Sequence, residues 1–271
     1  MTDWQAREIR TNGIRLHYYR TGGNKPPLVL AHGLSDDALC WRRVVGELAP
    51  SYDLVFYDMR GHGRSEAPAT GYGPEDRGAD LVGLIEALGL GPVKLMGHSL
   101  GAETVSWVAA HHAALVDRMV LEDPPWRTDW AGAELDGRKT MEESWRTSLA
   151  EYQTHTLEEL VAICRGRSPG WAEEDLAGWA EGKLAVNLRA VASVSAPRPP
   201  WQDIVRRIPC PTLLITAEPG CGALVTPEVA AEAAHVNPKI EILHLAGAGH
   251  SVRRDRFAEY VRAVRAFLAT G

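Results

Sequence analysis

Ser99, set between glycines in Gly97-His98-Ser99-Leu100-Gly101, has the surroundings that a serine needs to act as a nucleophile. A serine hydroxyl is a poor nucleophile unless it is lifted clear of the backbone and held beside a base. Val93-Lys94-Leu95-Met96 before it reads as a strand and Ala102 to His111 after it as a helix, so the serine falls on a sharp strand-to-helix turn. Both glycines are expected because backbone segments pass so close in such a turn that a Cβ would clash. The following helix points its first N–H groups at developing negative charge. Ser99 still needs a base, an acid and a second oxyanion donor from elsewhere in the chain.

His250 is the candidate base. It stands late in the chain on Gly247-Ala248-Gly249-His250, after an apolar run and before an amphipathic segment, where it can reach the turn without belonging to either element. Nine other histidines compete. His98 should point away from the reacting atom by turn geometry, and His111-His112 reads as surface or packing. Without an H-E-x-x-H or cysteine–histidine ligand spacing, no metal or other cofactor is expected. Cys40, Cys164, Cys210 and Cys221 form no C-x-x-C pair, so neither a disulfide framework nor a zinc knuckle is suggested.

The elements that must hold these groups are legible in the apolar pattern. Residues 7 to 19 alternate around Asn12-Gly13 as an antiparallel hairpin at a sheet edge. Short apolar runs then recur at 28–31, 54–57, 93–96, 119–121, 212–216 and 240–243, spaced for crossover helices and mostly unalternating, as parallel strands covered on both faces require. Helical patterns lie between them, clearest at Leu81 to Leu88 and Phe257 to Leu268. Residues 126–201 break this rhythm with helical pieces and no convincing strand. Thr156-Leu157-Glu158-Glu159 is a capping box there, and Ser195 to Pro200 forms a stiff return linker. Trp126, Trp130, Trp145, Trp171, Trp179 and Trp201 fall in or at the edges of this segment; two or three are expected to line a pocket and the others to pack, with Trp126 and Trp130 as the expected substrate contacts.

The 271 residues, 45% apolar and 24% charged, suit one globular domain with an insertion. A net charge of −6 argues against nucleic acid or an anionic membrane as the main partner. The first residues lack a signal-like pattern and no apolar run is long enough to span a membrane, so a cytoplasmic location is expected. The oligomeric state is left open.

Taken in order, His32-Gly33-Leu34 after the third strand, Asp58-Met59-Arg60-Gly61-His62-Gly63-Arg64-Ser65 after the fourth, the Gly97–Gly101 turn and Gly247 to His250 resemble the α/β-hydrolase family from about residue 9 to residue 268. The resemblance implies a mostly parallel eight-stranded sheet flanked by helices, a core of residues 1–125 and 202–271, and a helical cap over 126–201 inserted after strand 6. It implies Ser99 as nucleophile, His250 as base and the amides of Leu34 and Leu100 as oxyanion donors. The arginine-bearing turn at 60–64 is then architecture rather than a phosphate loop.

The acid departs from the family pattern. Where an aspartate usually follows the seventh strand, Ala217-Glu218-Pro219-Gly220-Cys221-Gly222 has Gly220. Some branches, including certain lactone hydrolases and dehalogenases, take the acid from the end of the sixth strand, and Glu122-Asp123-Pro124-Pro125 stands there. Adjacent strand residues point in opposite directions, so only one should face His250. Asp123 is preferred over Glu122, and Glu218 is third; the alternative is that Asp123 merely caps the turn. The function so implied is a serine hydrolase that cleaves a carboxylic ester or lactone of a medium-sized hydrophobic small molecule through an acyl-enzyme. Carbon–carbon bond hydrolysis, amide hydrolysis and cofactor-free perhydrolysis use the same site, and a ligand sensor that keeps the hydrolase shell is a rival of another class. A serine at 99 argues against haloalkane dehalogenase or epoxide hydrolase chemistry, for which the family uses a carboxylate.

Overall fold

A computed structural model of the chain describes residues 4–126 and 135–270. The hairpin appears as β1 (Gln5–Thr11) and β2 (Ile14–Arg20), turned by Asn12 and Gly13, both at positive φ. There follow β3 (Pro27–Ala31), α1 (Arg42–Leu48), β4 (Asp53–Tyr57), α2 (Pro74–Ala87), β5 (Val93–His98), α3 (Leu100–His111) and β6 (Val116–Glu122). The regular elements within residues 135–193 are all helical: α4 (Leu135–Tyr152), α5 (Leu157–Arg167), α6 (Glu173–Ala185) and a 3-10 turn at Leu188–Ser193. After the linker come α7 (Trp201–Arg207), β7 (Thr212–Thr216), α8 (Pro227–Val236), β8 (Ile240–His244), α9 (Val252–Asp255) and α10 (Phe257–Ala269).

The eight strands make one sheet in the order β1-β2-β4-β3-β5-β6-β7-β8, antiparallel only where β2 meets β1 and β4. Both faces are buried over the central strands, and alternate residues of each feed opposite clusters. Val29, Val55, Leu95, Leu121 and Leu214 pack under α2, α3, α7 and α8. Leu30, Phe56, Met96, Val120 and Ile215 pack under α1 and α10. This explains why the sequence runs are apolar without alternation. Leu149, Val186, Val191 and Val194 gather around Tyr72 as a small core of the insertion. The Thr156 capping box forms as read, with Thr156 Oγ1 accepting from the Glu159 amide and the Glu159 carboxylate accepting from the Thr156 amide. All four cysteines are free, Cys221 alone being exposed. No helix among the described residues is long and apolar enough to cross a membrane.

The turn from β5 into α3 is the tightest place in the sheet. A Cβ on Gly101 would lie 2.1 Å from the Ala31 carbonyl oxygen at the end of β3, and one on Gly97 would lie 2.5 Å from Gly101 backbone. Neither neighbour can yield, since both are main chain. Alanine at 101 is therefore expected to cost about 3 kcal/mol or more. Alanine at Gly166, a position in α5 with nothing within 4 Å, should raise stability by up to about 1 kcal/mol. Urea unfolding midpoints of the two variants check this contrast.

Candidate active site

Ser99 occupies the apex of that turn with φ 51° and ψ −118°, a conformation that an L-residue adopts only under constraint. Its N–H donates to the Glu122 carbonyl at 2.9 Å, which ties the turn to the end of β6. Among the described residues, four non-glycine residues have positive φ, and Ser35, Ser99 and Asp123 lie around one cavity and the residues behind it. Each such conformation costs on the order of 1–3 kcal/mol and persists only where the surroundings enforce it.

Asp123 leaves β6 at φ 41° and is fully buried. One carboxylate oxygen accepts from His250 Nδ1 at 2.6 Å. The amides of Leu224 and Val225 donate to the same carboxylate at 2.8 and 2.9 Å, so a buried charge is fully solvated by the protein. With Nδ1 carrying the proton toward Asp123, Nε2 is the imidazole nitrogen left for a reacting group. His250 and Ser99 both line the same cavity, of about 570 Å3.

The two other candidate acids are engaged elsewhere. Glu122 is turned to the opposite side and accepts from the Arg253 amide at 2.9 Å and its guanidinium at 3.2 Å. Burial pushes its carboxyl up in pKa, against the opposing pull of Arg253. Glu218 pairs with His244 at 3.2 Å on the surface. Leu34 and Leu100 line the cavity, and among the described residues neither backbone N–H donates to a protein acceptor. Gly33 lets the Leu34 loop approach the turn: a Cβ there would sit 2.8 Å from His98 Nδ1 and 3.3 Å from Ser99 Cβ.

The arginine-bearing turn supports this loop. Asp58 accepts from the Ala38 and Arg64 amides, Arg60 pairs with Asp80 at 2.6 Å, and the Ser35 amide donates to His62 Nε2 at 3.3 Å. Burial, with His32 close by, drives His62 down to about 3, so it stays neutral and able to accept. His98 lines the cavity beside Ser99 with its ring 4.7 Å from that of His250, and it has a task that the sequence did not reveal. Its Nε2 donates to the His250 carbonyl at 2.9 Å and so fixes the backbone of that residue. Its type next to the serine was the only available signal.

The lining differs from expectation in two respects. Trp126 is not in the cavity: it is 3% exposed and stacks on Trp201 at 5.4 Å between ring centres, inside the sheet core, because the chain turns inward after Pro124-Pro125. Trp130 lies outside the described residues. The aromatic wall comes from Trp145, Tyr152 and Trp179 on α4 and α6. The lining is also more charged than the expected hydrophobic substrate would suit, since Lys183, Arg198 and Arg254 line the cavity, with Asp36 as the one carboxylate among its described lining residues. Burial works to raise Asp36, but Arg254, Lys183 and Arg253 together hold it well below the usual carboxylate range. Arg254 pairs with it at 3.0 Å, and Arg198 pairs with Glu103 at 3.3 Å. Helical spacing could not assign Lys183 to a face, because α6 is only weakly amphipathic in sequence. Among the described residues no cluster of His, Cys, Asp and Glu is arranged to hold a metal ion.

Comparison with known proteins agrees with this architecture. Residues 26–252 match the family model for the alpha/beta hydrolase fold. The chain belongs to the α/β-hydrolase family. It is 30% identical to N-formylmaleamate deformylase of Pseudomonas putida over 275 residues, which covers 96% of this chain and 95% of that one. It is 27% identical to 2-(acetamidomethylene)succinate hydrolase of Mesorhizobium japonicum, covering 97% and 95%. The crystal structure of an E-2-(acetamidomethylene)succinate hydrolase superposes with a TM-score of 0.83 at 23% identity, over 98% of this chain and 99% of that one. An esterase of Rhodococcus sp. ECU1013 superposes at 0.80 with 24% identity, over 100% and 99%. The protein is accordingly a hydrolase.

The partners of the three carboxylates set their ranking in this α/β-hydrolase. Asp123→Asn should lower kcat/KM for 4-nitrophenyl butyrate by about 10³-fold or more, approaching His250→Ala, because the wrong imidazole tautomer is favoured. Glu122→Gln should cost about tenfold or less through Arg253, and Glu218→Gln should stay within about twofold. Steady-state rates of the four variants decide the order.

Proposed function

We propose that this α/β-hydrolase cleaves the acyl bond, amide or ester, of a small substrate that carries a carboxylate, by way of an acyl-enzyme on Ser99. The 2.6 Å contact between Asp123 and His250, beside a serine on a strained turn in a cation-lined cavity, carries this reading. His250 Nε2 takes the Ser99 proton as Oγ adds to the carbonyl carbon. The Leu34 and Leu100 amides receive the oxyanion, and the Asp123 carboxylate stabilises the imidazolium. His250 then gives its proton to the departing nitrogen or oxygen, and a water deprotonated by the same ring releases the acid product.

The aromatic wall suits an unsaturated or planar body, and the three cations suit an anionic end. The named substrates of the relatives, N-formylmaleamate and 2-(acetamidomethylene)succinate, are acylated at nitrogen and carry carboxylates, which supports the same class here. An ester or lactone follows the same chemical route, so the reading widens the scissile bond and replaces a hydrophobic substrate with a charged one. The helical segment within 126–201 serves as the cap, since α4 and α6 supply the aromatic wall. With Asp123 proposed as the acid, the glycine at 220 no longer favours a ligand sensor over an enzyme.

Fluorophosphonate labelling tests the nucleophile. The mass adduct should map to Ser99, and absence of labelling with no turnover above Ser99→Ala would sink the enzyme reading. Mono-4-nitrophenyl succinate, whose free carboxylate is ionised, should be preferred over neutral 4-nitrophenyl butyrate by about tenfold in kcat/KM, and Arg198→Gln should remove most of that preference. Burial draws Lys183 down to about 8, against the pull of Asp36. As pH rises through that value the ammonium loses its proton and the cavity loses positive charge. The preference for the anionic ester should therefore shrink above pH about 8, read as the ratio of the two pH profiles.

A further inference from the structure

We propose that Asp255 is a positioning residue through which the seating of the cap sets the alignment of His250. This rests on the reading of His250 as the base for Ser99.

Asp255 closes α9, five residues after His250, and its two carboxylate oxygens face different parts of the molecule. Oδ2 accepts the Gly249 amide at 2.8 Å, the peptide group that leads directly into His250. Oδ1 accepts the indole N–H of Trp171 at 2.6 Å, and Trp171 lies in the insertion between α5 and α6. One short side chain thus joins the cap to the turn that carries the base. A carboxylate shared between an indole and a backbone amide is held more strongly by both than by either, because each donor fixes its rotamer for the other.

The turn has little freedom to absorb a change. A Cβ on Gly249 would fall 2.4 Å from the Cys221 carbonyl oxygen, so the backbone is already in close contact on that side. On the other side His98 holds the His250 carbonyl at 2.9 Å. The Asp123 contact to Nδ1 fixes the ring, while these contacts fix the backbone from which the ring hangs. A second link repeats the route: the Arg254 guanidinium lies 5.0 Å from the centre of the Trp171 ring and pairs with Asp36 at 3.0 Å. Unseating Trp171 therefore frees Asp255 to change rotamer, and the Gly249 amide loses its acceptor. Since a shift of about 1 Å in a catalytic group costs up to about 10²-fold in rate, a loosened turn should appear in kcat.

The experiment compares Trp171→Phe, which keeps the ring but deletes the N–H donor, with Asp255→Asn and the double variant. Asparagine has one acceptor oxygen, so it can serve Gly249 or Trp171 but not both. Each protein is assayed on 4-nitrophenyl butyrate, for the rate of Ser99 labelling by a fluorophosphonate, and for thermal midpoint. Expected are falls of about tenfold in kcat and in labelling rate for Asp255→Asn and about threefold for Trp171→Phe, with KM within twofold. The double variant should be no slower than Asp255→Asn, because the two residues act in series. Rates that multiply in the double variant would overturn the proposal, as would a lowered thermal midpoint with kcat and labelling unchanged. A wild-type protein that does not label at Ser99 would instead overturn the assignment of the nucleophile, on which the proposal stands; labelling that is equally fast in wild type and Asp255→Asn overturns the proposal alone.

Discussion

The buried carboxylate of Asp123 is the junction on which the site depends. It receives the Leu224 and Val225 amides from the chain after β7, and His250 Nδ1 from the chain after β8, while its own backbone follows directly on β6. An ionised carboxylate without partners would be too costly at zero exposure, so the three donors are a condition for its presence and not an embellishment. They also leave it no spare orientation. Three segments distant in sequence are thereby registered against one another at a single pair of oxygens, and the position of the imidazole follows from that registration.

The same economy governs the residues around it. Positive φ at Ser35, Ser99 and Asp123 is unfavourable at each, and the sheet core supplies the stability that keeps all three in place. Cations and carboxylates at the cavity and behind it are paired in the same fashion: Arg253 spans Glu122 and Asp36, and Arg254 takes the other oxygen of Asp36. Replacing a single member would leave a buried charge uncompensated, which is more damaging than the worth of the pair itself. Rigid placement of these groups keeps the α9 segment close under β6, and so keeps His250 within reach of Asp123.

How far the sequence foretells this differs from residue to residue. The strands were visible because burial on both faces leaves continuous apolar runs, and Ser99 and His250 because glycine-rich turns of fixed order surround them. Asp123 was legible only through the resemblance, which puts an acid at the end of the sixth strand in some branches; at φ 41° just beyond β6 it meets His250, while Glu122 meets Arg253. The lining was not legible. Trp126 follows two prolines whose turn directs it into the core, and a residue's face after such a turn cannot be read from periodicity. Lys183 and Arg198 belong to a weakly amphipathic helix and to a linker, where spacing says nothing about direction. His98 and Asp255 act through backbone groups, and a side chain that holds another residue's peptide leaves no mark on the spacing of apolar residues.

The buried carboxylate of Asp123 stands where the insertion leaves the core. Pro124-Pro125 follows at once, and Pro125 lines the cavity, so the insertion departs from the same turn that carries the carboxylate. Lys183 on α6 donates to the Ser35 hydroxyl at 2.8 Å and carbonyl at 3.1 Å, one residue beyond the Leu34 amide. The packing there is close, since a Cβ on Gly182 would meet the Ser35 carbonyl oxygen at 2.8 Å. Trp171 reaches the turn before His250 through Asp255. The insertion thus leaves the core beside Asp123 and touches the chain beside Leu34 and before His250, and not only the space that a substrate would fill. In a fold whose cap merely covers the pocket, changes in the cap act on binding. Here the contacts run to the backbone that orients the reacting groups, so the physical expectation is that the helical segment contributes to the rate of the chemical step as well as to the choice of substrate.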